Sequence, residues 1–393
     1  MIQLTSELKY LFILMTVNDR ECKTFKKKLE KRGVFIKKLG SGSTGITFSY
    51  CGSKPYCNLS SRKTVKLSRV SRHSKKKTQP EIDYEINREL MKLLKYTPHI
   101  NRVYSQIKCG FFQKLLENQS DDLYKKYLEW SVRFKINEGD PIVITKMELG
   151  HYDLFDHARY IRTLTELKEV IFQIVYTLAV IQYYNRGFKH GDLKEDNVLV
   201  YDRSAKPDGY IHYTILGKTY RLKNNGDRIK IIDFDFAASD KTRNCRQPPA
   251  LDKLITADYK ALECSKTIRE DSRLIGLTSD YKPHYDLFYL LNRLSSVFFT
   301  EKRNPEFNKF LSRLIPSEFQ GQNVKVNARE IVDDWRLVEN DTKKIHGVHS
   351  PVEILMSGVF DDLMVDSKSG KPIKTYDSKI TKELVKTRSD LFV

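Results

Sequence analysis

Within the stretch Lys189-His190-Gly191-Asp192-Leu193-Lys194-Glu195-Asp196-Asn197 the chain gathers an aspartate, a lysine two positions on and an asparagine five positions on. That spacing suits phosphoryl transfer. Asp192 can accept a hydroxyl proton, Lys194 can neutralise a transferring phosphate, and Asn197 can hold a divalent ion. Downstream, an isoleucine-rich run (Ile229, Ile231, Ile232) ends at Asp233-Phe234-Asp235. A carboxylate ending a strand there would bind the same metal.

The two motifs, in this order, resemble the catalytic loop H-R-D-x-K-x-x-N and the metal loop D-F-G of eukaryotic-type protein kinases. The resemblance implies an α+β fold of two lobes, a small β-rich N-lobe and a larger, mainly helical C-lobe. It implies ATP and Mg2+ as cofactors, Asp192 as catalytic base, Lys194 on the transferring phosphate, and Asn197 and Asp233 on magnesium. Lysine two residues after the aspartate is the pattern of the serine/threonine members, so a protein serine or threonine is the expected acceptor.

Two departures from the family pattern carry weight. Gly191 stands where many members have an arginine that reads a phosphate on the activation segment, so control by that route is not expected. Asp235 replaces the glycine of D-F-G, which adds negative charge beside the metal site and limits backbone freedom. It either impairs catalysis or fixes the loop in its active arrangement; with the ATP, metal and hydroxyl contacts all in place, activity is the expectation. The alternatives are a pseudokinase scaffold and a kinase-fold enzyme acting on a small molecule or lipid. The lack of an Ala-Pro-Glu anchor in Ser239 to Lys282 is the main argument for the latter.

The elements that must position these groups can be followed along the chain. Residues 1–33 read as an N-terminal extension with a Lys-rich end, and 34–148 as the N-lobe. Phe35 to Leu39 alternates like a strand and runs into Gly40-Ser41-Gly42-Ser43-Thr44-Gly45, followed by the β-rich Ile46 to Tyr50. A G-x-G-x-x-G is weak alone, but a Rossmann unit leads it into a helix, whereas here it joins two strands. Gly40, Gly42 and Gly45 thereby become candidates to close over ATP phosphates. Thr47 takes the usual place of valine. Lys66, in the next strand, matches the lysine that grips the α- and β-phosphates. Its carboxylate partner should come from a helix over Ile82 to Lys95. Glu89, with leucines at +1, +4 and +5, is preferred to Glu85 one turn earlier. The charged, aromatic stretch near 113–139 reads as an insertion. Pro141 to Met147 reads as a buried strand entering a hinge at Glu148, where the family's backbone pairs with adenine and Met147 is the gatekeeper. Asp153 either accepts from the ribose hydroxyls or caps the next helix.

Residues 149–393 read as the C-lobe. Leu167, Val170, Ile171, Ile174, Val175, Leu178 and Ile181 give a broad apolar helical face that leads into the catalytic loop. An inserted hairpin is expected near 205–226, turning at Gly217. That insertion and the D-F-D variant resemble kinases of large cytoplasmic DNA viruses. Asp286 opens a buried helix, and the resemblance implies that it tethers the catalytic-loop backbone, against the plainer reading of a helix cap. Helices are expected around 305–314 and 328–337, then a Gly/Lys-containing tail.

The formal net charge of +19 over 393 residues is large. It favours acidic protein substrates, nucleic acid or anionic surfaces. The basic run Arg69 to Lys77 has no aromatic residues for base stacking, which argues against nucleic acid, and reads as a solvated loop, with partner docking or nuclear entry as the alternative. No apolar run is long enough to span a bilayer and no signal peptide is recognisable. The 6 cysteines are scattered and make no disulfide framework. The expected location is cytoplasmic (the host-cell cytoplasm or the virion for a viral protein), not secreted. Composition leaves the oligomeric state open.

Overall fold

The computed structural model describes residues 21–25, 27, 34–41, 45–52, 62–70, 78–109, 120–137, 140–201, 208–239, 285–300, 305–314, 349–365 and 371–387. Gly42, most of the basic run, the expected activation segment beyond Ser239 and the helix expected over 328–337 lie outside them. The chain divides into two compact units, one of residues 1–84 and 102–149, the other of residues 85–101 and 150–393.

The first unit holds β1 (Val34–Ser41), β2 (Gly45–Cys51), β3 (Lys63–Arg69), the start of α1 (Gln79–Met91), β4 (Val103–Cys109), α2 (Asp121–Arg133) and β5 (Ile142–Glu148). Its five strands form one antiparallel sheet in the order β1-β2-β3-β5-β4. Alternation puts Phe35, Phe48, Val65, Leu67, Ile142 and Ile144 into a common core. The stretch read from sequence as an insertion supplies a helix to that core. Leu123, Tyr127 and Trp130 recur at helical spacing and are buried, while Asp121 and Asp122 favour the helix N-terminus and Arg133 its last turn. Cys22, in a helical segment before β1, is disulfide-bonded to Cys109 of β4, a link the scattered cysteine spacing did not disclose. Helix α1 starts earlier than expected and continues as a 3-10 turn, Lys92–Lys95.

The second unit adds β6 (Tyr152–Asp153), α3 (Leu154–Ala158), α4 (Leu164–Tyr184), β7 (Val198–Tyr201), β8 (Tyr210–Ile215), β9 (Lys218–Lys223), β10 (Arg228–Ile231), α5 (Tyr285–Thr300), α6 (Pro305–Ser312), α7 (Pro351–Met356), β11 (Lys374–Asp377) and α8 (Lys382–Thr387). Helix α4 starts at a capping box made by Thr163 and Glu166. It is buried on nearly every face from Leu167 to Gln182, as befits the central helix of a large core. Strands β10, β7 and β6 form a small sheet, and β7 and β10 carry the exit of the catalytic loop and the entry to Asp233.

Strands β8 and β9 pair as an antiparallel hairpin whose turn places Leu216 (φ 57°) and Gly217 (φ 74°) in left-handed conformations, the twist a two-residue hairpin turn requires. The segment read as a tail then returns as β11, parallel to β8. Tyr376 is buried there, and the hydroxyl of Tyr176 donates to the carbonyls of Tyr96 (3.0 Å) and Tyr376 (3.3 Å). Phe172, Tyr213, Tyr220 and Phe360 complete an aromatic cluster between α4 and this second sheet. Among the described residues no helix is long and apolar enough to cross a membrane.

Candidate active site

The catalytic loop is held in place by backbone pairing and by one buried carboxylate. Lys189 and Ala238 exchange amide-to-carbonyl bonds of 2.9 Å, which ties the loop's start to the residues after the Asp-Phe-Asp turn. Asp286, fully buried near the start of α5, accepts from the amides of His190 (2.6 Å) and Gly191 (2.8 Å). The tether expected from sequence is therefore present. Gly191 has φ 79°, a left-handed conformation that a side chain would strain. Its glycine thus has a backbone reason in addition to the missing arginine. The His190 ring packs 5.1 Å from Phe234 and its Nε2 lies 2.9 Å from the carbonyl of Ile232.

Within this frame the three groups singled out by spacing come together. The Asn197 side-chain amide donates to the Asp192 carbonyl (2.7 Å) and to its Oδ2 (3.1 Å). Lys194 Nζ lies 3.1 Å from the same Oδ2. A 3-10 turn, Glu195–Asn197, makes this reach possible by bringing the asparagine back over the aspartate. Burial pushes the Asp192 carboxyl above its ordinary value, only partly opposed by Lys194, and Asp233 adds to the rise. Burial pulls the Lys194 ammonium down, but the Asp192 carboxylate beside it outweighs this and the net shift is upward. The pair therefore favours a charged lysine beside a carboxylate poised to take up a proton.

Asp233 follows β10 in a left-handed conformation, φ 63° and ψ 69°, which aspartate tolerates better than most residues. The next three residues, Phe234–Phe236, form a 3-10 turn, and Phe234 is buried. Asp235 is buried inside that turn, whose conformation needs no glycine. The limit on backbone freedom expected at this position is thus met by a conformation open to any residue.

The remaining candidates are placed as follows. Gly45 is a glycine for a packing reason, since a Cβ there would come within 2.6 Å of the Leu67 carbonyl oxygen. Gly40 has open space around the same point. Lys66 sits in the middle of β3, half-buried, in register with Thr47 on one side and Thr145 on the other. Glu89 meets Lys92 through both carboxylate oxygens, at 2.6 and 2.7 Å, on a partly exposed face. The Glu148 amide donates to the Arg102 carbonyl at 2.8 Å. Asp153 caps α3 by accepting from the Asp156 amide at 2.7 Å, and burial together with neighbouring carboxylates raises its carboxyl.

Sequence reasoning missed a buried ion pair at the same loop. Arg293 of α5 faces Glu195 with Nε to Oε2 at 2.5 Å and Nη2 to Oε1 at 2.6 Å. The only signal was a charged residue inside the apolar helix that Asp286 opens, seven positions on. A second miss is Glu169 of α4, a glutamate on the buried face, near the Lys223–Asp227 turn; burial pushes its carboxyl up to about 7.

A tethered loop with aspartate, lysine and asparagine in mutual contact, followed by a left-handed aspartate, is the arrangement the resemblance to eukaryotic-type protein kinases implies. Comparison with known proteins supports that resemblance and its viral character. The chain is 28% identical over 231 residues to "Putative serine/threonine-protein kinase R400" of Acanthamoeba polyphaga mimivirus, 56% of this chain and 45% of the relative. It is 24% identical over 356 residues to "Putative serine/threonine-protein kinase R301" of the same virus, 80% of this chain and 86% of the relative. A 104-residue stretch is 28% identical to serine/threonine-protein kinase haspin of Bos taurus, 26% of this chain and 13% of haspin. The chain thus spans less than half the length of the first of these relatives. No protein-family profile matches it.

Proposed function

We propose that the chain is a serine/threonine protein kinase that moves the γ-phosphoryl group of ATP to a protein hydroxyl. The observation that carries this reading is the convergence of Lys194 and Asn197 on Asp192, in a loop whose backbone is pinned by Asp286. In this reading Asp192 accepts the proton of the attacking hydroxyl. Lys194 turns its charge to the transferring phosphoryl group, and Asn197 keeps the base aligned.

The residues present fit Mg2+. Asn197 spends its NH2 on Asp192, which leaves its amide oxygen as the acceptor, and Asp233 supplies a carboxylate. Two hard oxygen donors suit a cation that takes few protein ligands and completes its shell with phosphates and water. Once bound it would neutralise charge on the phosphates. Among the described residues no group of three or more His, Cys, Asp or Glu gathers as a metal cluster.

The reading extends to a two-lobed arrangement with ATP phosphates under Gly40, Gly42 and Gly45 and on Lys66, the Glu148 backbone at adenine and Asp153 at the ribose. It includes Glu89 as the partner of Lys66, a role for which Glu89 would have to leave Lys92. It also includes independence from activation-segment phosphorylation, supported by Gly191 offering neither a cation nor room for one without backbone strain.

Labelled ATP and Mg2+ offered with acidic peptides, basic peptides, small hydroxyl compounds and lipids would test the reading. Transfer to serine or threonine of a peptide is expected, and Asp233→Ala should abolish it. Transfer only to a small molecule or lipid, or ATP-dependent stabilisation without transfer, would replace it.

A further inference from the structure

Helix α5 touches the catalytic loop at two points. Asp286 takes the amides of His190 and Gly191 at one end, and Arg293, two helical turns on along the same face, takes the carboxylate of Glu195 at the other. Asp192 and Lys194 lie in the span between these anchors. The Glu195 side chain is only 1% exposed and that of Arg293 17%. The contact is a fork on a fork: two parallel nitrogen–oxygen bonds that allow one orientation of the carboxylate. Tyr289, one turn before Arg293, lies with its ring 5.8 Å from the guanidinium and limits it further.

Glu195 is also the first residue of the 3-10 turn that carries Asn197, and Asn197 in turn holds Asp192. A rotation at Glu195 would therefore move the amide that aligns the base. A buried ion pair is a poor source of stability, because the cost of drying both charges offsets their attraction, and well-packed apolar side chains often do as well. What the pair supplies that apolar packing cannot is direction.

We propose that Arg293 is a positioning residue for phosphoryl transfer: by clamping Glu195 it fixes the turn that sets Asn197 and Lys194 against Asp192. This rests on the kinase reading above for the reaction it serves, but the clamp itself concerns the loop's geometry alone.

The test uses the full chain with two variants, Arg293→Lys and the double change Glu195→Met with Arg293→Met. Lysine keeps the charge and loses the fork; the paired methionines remove both charges and keep apolar bulk. Four quantities are read: kcat, KM for ATP, Tm, and amide hydrogen exchange over residues 190–197. Both variants should lower kcat about tenfold or more, as a small misplacement of a reacting group does, with KM for ATP within about twofold. Loop amides should exchange faster in both, while the double variant keeps a Tm close to that of the parent. Parental kcat and exchange rates in either variant would overturn the proposal. A kcat loss that merely tracks Tm across the two would overturn it as well. Should the double variant not fold, Arg293→Lys decides alone. Should the parent transfer no phosphate, the kinase reading falls, and the exchange rates still decide whether Arg293 sets the loop.

Discussion

The catalytic loop and the sheet of β8, β9 and β11 belong to the same unit, yet they are held by different forces. The loop is short, irregular and polar, and directional contacts fix it: Asp286 on two amides, Lys194 and Asn197 on Asp192, Arg293 on Glu195. The sheet is regular, and rings fix it: Tyr213 and Tyr220 pack on Phe172, and Tyr376 stacks on Tyr213. Hydrogen bonds specify where individual atoms sit, while burial stabilises without specifying direction. Substitutions in the loop should therefore show in rate, and substitutions in the sheet in stability.

The largest effect should come from the loop. Asp192→Asn keeps the shape and removes the proton acceptor, so kcat should fall by roughly 10²–10⁴ with little change in Tm. On the kinase reading the base must be ionised to work. Since burial raises its folded pKa, kcat/KM should be intact at high pH and fall as pH drops through a value above the ordinary carboxylate range. A pH-rate profile together with thermal melts checks both parts. A large loss of Tm with kcat per folded molecule retained would reverse the contrast between the two regions.

Next is the sheet. Tyr213 is 1% exposed and touches Phe172, Tyr176, Tyr376 and, through its hydroxyl, His99 Nε2 at 3.0 Å. Tyr213→Ala should cost about 3–5 kcal/mol in denaturant unfolding, as large aromatic truncations in cores do. The kcat of the folded fraction should stay close to that of the parent at low temperature. A drop of kcat without loss of stability would mean that the sheet transmits to the loop.

The smallest effect sharpens the contrast where polar and apolar packing meet. Glu169 is 8% exposed, beside the Lys223–Asp227 turn that leaves β9, and burial lifts its carboxyl to about 7 from 4.5. Between those two values the folded state holds a proton that the unfolded chain has released. Stability should therefore fall as pH rises from about 4.5 to about 7 and level off above, by up to roughly 3 kcal/mol at about 1.4 kcal/mol per pKa unit. Glu169→Gln should flatten that segment of the curve and be the more stable protein above pH 7. Chemical denaturation at a series of pH values reads this directly, and a parent curve flat over that range would show that the carboxyl is better solvated than its burial implies.

Motif spacing made the loop legible because the phosphoryl transfer proposed for it needs particular side chains a few residues apart. Asp192, Lys194 and Asn197 are neighbours in the chain before they are neighbours in space, and the turn between them is short. Asp286 was legible only through the family pattern, since an aspartate at a helix start is ordinarily a cap. The α2 helix was hidden by a charged stretch in which only Leu123, Tyr127 and Trp130 mark the buried face. β11 was hidden because Lys374–Asp377 is a 4-residue strand with two exposed positions, too short for any period to show.

The sequence by itself determined the grouping of Asp192, Lys194 and Asn197, the pairing of the strands on either side of the glycines, the central helix α4 and the hairpin turning at Gly217. All of these are set by local spacing, period or turn chemistry. Tertiary structure alone decided that the chain's last segment closes the inserted sheet and that Glu169 stays protonated to about pH 7. It also decided that Glu195 is gripped by a residue 98 positions away. Each depends on which surfaces lose their water when distant segments meet, and no window of neighbouring residues carries that information.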